Sequence, residues 1–196
     1  EKYRASAVAA ADWAASRRLV ANWNYNSFSV FLLTKAFEAT GERTYLDAAK
    51  RKALIGVIPG QLTDGPNMGR WVDPHNARPT YHYIMLRSLA ALLTALPEDD
   101  VSRPEILRVL TLGLQNRNAD FIERGAPNKD KAIEALILVN RNFASDERFL
   151  RESRSADALD ALARLVSEEA RRGKASLGVR EWGLFLEYLA ERQMQR

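Results

Sequence analysis

With 196 residues, 46% of them hydrophobic, the chain is long enough to bury a core of its own, and the absence of cysteine excludes disulfides, thiol catalysis and Cys-ligated metal. Its 29 Lys and Arg against 25 Asp and Glu give a net charge of +4 and a pI near 9.5. The two signs are interspersed and no basic patch carries interleaved aromatics, so no nucleic-acid partner is expected, and no apolar run reaches the length of a membrane span. The expectation is a single all-α domain over residues 1–196. The chain opens at Glu1 without Met or a leader-like segment, as a processed protein or a piece of a longer one would. Its composition is compatible with cytoplasmic and extracytoplasmic locations alike.

From Lys2 to about Leu19, Tyr3, Ala7, Ala10 and Ala14 share one side against Arg4, Asp12, Arg17 and Arg18, an amphipathic helix. After a turn at 20–24 the segment Tyr25 to Thr40 is apolar nearly all round and predicts a buried helix, closed by Gly41. Thr44 to Ile55 restarts as an amphipathic helix. Ala77 to Leu96 predicts a fourth helix, with Pro79 tolerated in its first turn and Pro97 beyond its end. Ser102-Arg103-Pro104-Glu105 has the form of a helix start and opens a fifth helix to about Glu123, before Gly125. Asn128 to Phe143 is rich in apolar residues, Asp146 to Arg172 is amphipathic with a break near Ser153, and Glu181 to Met194 closes the series. No strand is expected. The sequence therefore predicts about eight helices in four antiparallel hairpins, amphipathic ones alternating with apolar ones. The apolar set starts near Asn24, Ala77, Lys129 and Arg180, a repeat of about 51 to 53 residues, as in stacked helical hairpins.

One stretch departs from this pattern. Val57 to Tyr83 holds Pro59, Pro66, Pro74 and Pro79, Gly60, Gly65 and Gly69, both histidines and Trp71, and exceeds an ordinary helix-to-helix connection. Its aromatic and cationic residues argue against disorder, so it is the first place to look for a site.

Ala36-Phe37-Glu38-Ala39-Thr40-Gly41-Glu42 followed by Tyr45-Leu46-Asp47-Ala48-Ala49 resembles the recurring helix pair of the α/α toroid proteins, the six-hairpin glycosidase-like and polysaccharide-lyase-like barrels. The resemblance implies an inner ring of helices inside an outer one, with the outer-to-inner connections (here 20–26, 57–76, 124–130 and 172–181) building the substrate cleft. It also implies a carbohydrate-active protein, glycoside hydrolase or polysaccharide lyase, with an oligosaccharide or polysaccharide as partner. Four hairpins fall short of the family's six, so further hairpins or self-association would complete the ring. An open α-solenoid serving as a non-catalytic binding or scaffold module produces the same alternation.

Asp73, His75, Arg78 and Tyr81 form the candidate catalytic set, with Asn76 beside them. A His or Tyr base with an Arg or Asn to neutralise a carboxylate is what β-elimination from a uronic acid needs, and similar residue types occur in the toroid lyases. Asp73 as a helix cap and Arg78 as partner of a neighbouring acid are the structural alternatives. Asp64 and Asp73 offer a carboxylate pair for glycoside hydrolysis, although Asp64-Gly65 is also an ordinary turn. Trp23, Trp71 and Trp182, with Asn24, Asp64, Arg70 and Asn76, are the candidate substrate-binding residues. The tryptophans suit sugar stacking and the core equally. Asp130, Glu134 and Glu181 are acids near the starts of inner helices, where dipole pairing is the ordinary role. His75 and His82 lie seven apart outside any HExxH context, so no metal is expected. No phosphate-binding glycine loop or nucleophile elbow is present, and no cofactor is expected.

Overall fold

The computed structural model describes residues 2–72, 78, 81–124 and 129–194. Helix α1 spans Lys2–Ser16, α2 Trp23–Thr40, α3 Arg43–Gly56, α4 His82–Ala95, α5 Arg103–Arg124, α6 Lys129–Asn142, α7 Glu147–Glu152, α8 Ser155–Arg171 and α9 Val179–Met194, with a 3₁₀ turn at Ile58–Gly60. Among the described residues there is no strand, and the single isolated bridge joins Gln61 to Trp71. The chain is all-α, as its periodicity requires.

Local chemistry sets the ends of these helices. Asn22 accepts the Tyr25 N–H at 2.9 Å, so α2 begins two residues ahead of its apolar run. Gly41, at φ 76°, closes α2 with its N–H on the Phe37 carbonyl. The expected break near Ser153 is a left-handed residue, Arg154 at φ 55°, between α7 and α8. A buried polar network braces that break. The Tyr83 hydroxyl donates to Asn118 Oδ1 at 2.9 Å, and Asn118 Nδ2 donates to the Ser153 carbonyl at 2.8 Å. With each partner satisfied, the network ties α4 and α5 to the α7–α8 junction.

The helices pack in two rows. In the inner row α2 lies against α4, α4 against α6 and α6 against α9; in the outer row α1 and α3 back α2, α5 backs α4, and α8 backs α5 and α6. The core lies between the rows, with Val30 and Leu33, Leu46 and Ala53, Leu86 and Leu89, Ile106 and Leu110, Ile133 and Leu136, and Leu162 and Val166 all buried. Each fully buried leucine or isoleucine contributes roughly 1.5–3 kcal/mol.

Position in the row decides burial more than composition does. Helix α4, flanked on both sides and backed from behind, buries every residue from His82 to Leu93. Helix α2, expected to be buried all round, leaves Tyr25 55% and Phe28 47% exposed, because α1 covers that side only in part and leaves a groove there. Helix α9, at the opposite edge, buries only Phe185.

Candidate functional site at the N-terminal ends of the inner helices

The described part of the Val57–Tyr83 stretch folds back on the protein. Leu62 N–H donates to the Arg70 carbonyl and Gly69 N–H to the Leu62 carbonyl, both at 2.8 Å, closing a tight loop with Gly65 at its turn. That loop is fastened to α5. Gln61 Nε2 donates to the Val109 carbonyl at 2.8 Å, Arg70 Nε to Asn116 Oδ1 at 3.1 Å, and Asn116 Nδ2 to the Met68 carbonyl at 3.0 Å. Gly69, at φ 88°, comes so close to α5 that a Cβ there would stand 2.2 Å from the Leu112 carbonyl oxygen.

The candidate residues of this region therefore serve mostly as structure. Trp71 is 2% exposed and donates its indole N–H to the Val57 carbonyl at 2.8 Å, so it presents no ring face to solvent. Trp23 is half-buried, donates to the Val72 carbonyl at 2.7 Å, and lies where any side chain at Gly60 would sit. Asn24 is buried, with its carboxamide oxygen unpartnered among the described residues. Arg70 is held to α5, Asp64 is exposed near the loop's turn, and Trp182 sits on α9 edge-on to Phe185. Arg78 is exposed, and its carbonyl accepts the N–H of Tyr81 just ahead of α4. Asp73, His75 and Asn76 lie outside the described residues. Trp71, being buried, thus faces no open cleft, while Asp64 lies on the exposed loop and Trp182 on α9.

His82 is buried under Trp71, ring centroids 5.6 Å apart. Burial pushes its imidazole down to about 4, with Arg117 and Arg70 adding to the fall, so it is neutral at pH 7.

A groove runs between the inner helices. About 500 Å³ in volume, it is lined by Phe28, Phe31, Leu32 and Lys35 of α2, Tyr83, Ile84 and Arg87 of α4, Asp130, Lys131 and Glu134 of α6, and Arg180 and Glu181 of α9. All four inner helices contribute, and α4, α6 and α9 do so through their first two turns, directing their positive ends to one place. Arg87 is 6% exposed, stacks its guanidinium 4.1 Å from the Phe31 ring centroid and donates to Glu134 Oε2. The other Glu134 oxygen accepts from Arg180, whose side chain is 63% exposed. Burial lowers the Arg87 guanidinium from its ordinary value and Glu134 opposes the fall, so the carboxylate is what makes a cation tolerable there. Lys35 sits 5.6 Å from the Phe31 ring and pairs with Glu38, and Lys131 pairs with Asp130.

This arrangement suits binding. Both oxygens of Glu134 are taken by guanidinium donors, while Arg180 keeps most of its surface in water beside half-exposed aromatic rings. Of the groove residues, Asp130, Glu134 and Glu181 are the ones the sequence singles out, as ordinary helix-start acids. Arg87 carries a signal that such a reading passes over. It is the only Arg, Lys, Asp or Glu in the His82–Ala95 helix, and a cation in so apolar a helix needs a buried counter-charge. No family model, curated protein or solved structure matches the chain.

Proposed function

We propose that the protein binds an acidic oligosaccharide in the groove between its inner helices. The observation that carries this reading is the row Arg87, Glu134 and Arg180, with Arg87 stacked on Phe31 and the 47% exposed Phe28 ring beside it, which sets an aromatic face beside a chain of charges ending in a solvent-facing guanidinium. A uronate offers the complementary pair, an apolar sugar face for the ring and a carboxylate for the cation. The converging N-termini of α4, α6 and α9 favour the same charge. With Glu134 doubly engaged and Asp130 paired to Lys131, the groove favours a binding module over a hydrolase.

One observation favours a second reading, a lyase of the toroid type. Tyr81 stands two residues ahead of the groove-lining Tyr83, so the set Asp73, His75, Arg78 and Tyr81 leads in sequence into the groove. Calorimetric titration with saturated oligogalacturonides, and with neutral oligosaccharides as control, tests both. Binding of the acidic ligand, weakened about tenfold or more in Arg180→Ala with melting unchanged, supports the module. An unsaturated chromophore growing during the titration supports the lyase, and heat from neither ligand refutes the carbohydrate reading.

A further inference from the structure

The outward face of α9 is apolar and uncovered. Val179 (93% exposed), Gly183, Leu186 (58%), Ala190 and Met194 (81%) follow one another at helical spacing along it. Gly183 is informative. A Cβ built there meets nothing within 4 Å, so nothing among the described residues needs a glycine inside this helix, where it is unfavourable relative to alanine. A helix crossing closely from outside would need one.

The opposite edge of the array carries the matching surface. There α1 and α2 form a groove of about 380 Å³ lined by Trp13, Val20, Tyr25, Phe28 and Leu32 and rimmed by Arg17 and Arg18. Trp13 is 59% and Val20 51% exposed. Two features identify what fits each edge. Within the chain every inner helix packs on the next, α2 on α4, α4 on α6, α6 on α9, so the side of α9 away from α6 continues a row whose missing neighbour is another inner helix, and α2 is the inner helix with an open apolar side. The charges also complement one another. Glu187 and Glu191, which share Arg141 of α6 as counter-charge and stay 57% and 39% exposed, flank the α9 stripe, two carboxylates against one cation and so opposite in sign to the Arg17 and Arg18 rim.

We infer that a second copy of this chain docks head to tail, the α9 face of one copy entering the α1–α2 groove of the next. The contact is heterologous, so it propagates to a ring or a chain of copies rather than to an isologous pair.

Light scattering after size exclusion, with rising protein concentration, tests this on the intact chain. The wild type should exceed the monomer mass of 22.1 kDa, whereas Leu186→Glu and Trp13→Glu should each run as monomers with unchanged helix content and melting, since both positions are exposed. Mixing the two variants should restore a species of about twice the monomer mass, because each keeps the surface the other has lost. Val179→Asp and Val20→Asp repeat the test at other points of the same surfaces should either glutamate variant fail to fold. A monomeric wild type overturns the inference. So does loss of association in Leu186→Glu alone, which means α9 pairs with α9, or association that survives both variants.

Discussion

Arg87 and Arg180 share one carboxylate and differ in surroundings, and that difference sets what each residue is worth. Removing Glu134 leaves the Arg87 guanidinium buried without a counter-charge, so Glu134→Ala should destabilise the fold by about 3–5 kcal/mol in chemical denaturation. Removing Arg180, which is largely solvated, leaves the Arg87–Glu134 pair intact and should cost less than about 1 kcal/mol. Equal losses from the two changes would contradict the description of the cluster. His82 gives a pH signature of its own. Its folded value of about 4 lies below the ordinary 6.5, so between those values the unfolded chain binds a proton that the folded chain refuses. Stability therefore falls as pH drops through that window, by up to about 3 kcal/mol, and is fully present above it. His82→Gln should flatten that part of the stability profile relative to wild type. Sequence reading treats His82 chiefly as a poor zinc candidate; its burial under Trp71 arises from a contact eleven residues apart that periodicity does not encode.

The same distinction between local and distant information runs through the elements. Helix existence was legible because breakers act locally, as at Gly41 and the Ser153–Arg154 break, whereas the Asn22 cap lies inside what reads as a turn at 20–24. Asn22→Ala should accordingly cost about 1 kcal/mol in thermal denaturation through the lost α2 cap. The fate of the 57–72 loop was not legible. Its glycines, prolines and Trp71 look like those of a binding loop, but Gly69 is there to let the loop touch α5, and the indole of Trp71 finds its acceptor fourteen residues back at Val57. Gly69→Ala should strain a positive φ and collide with the Leu112 carbonyl at once, losing about 2–3 kcal/mol while helix content by circular dichroism stays the same. A neutral Gly69→Ala would mean that the loop does not dock on α5 as described.

At the scale of the molecule, the helical periodicity was enough for the all-α class, and α2, α4 and α6 pack one on the next, as apolar helices that need neighbours on several sides do. The apolar pattern overstated the burial of α2 and α9 because a sequence pattern does not say which helix ends a row. Those two edges are where the chain keeps apolar surface in water, and the groove between them is where all four inner helices meet. The groove was not legible as a site: the sequence directs attention to the 57–83 stretch, and it marks Asp130, Glu134 and Glu181 only as helix-start acids. Phe31, Arg87 and Arg180 come from separate helices and are joined only by packing. The central claim, that a ligand binds in this groove, is tested most directly by amide chemical-shift mapping with a saturated oligogalacturonide. The account predicts shifts clustered around Phe31 and Arg87 and in the first turns of α6 and α9, lost in Arg180→Ala. Shifts confined to the 61–72 loop or to the outer row, or none at saturating ligand, would contradict it.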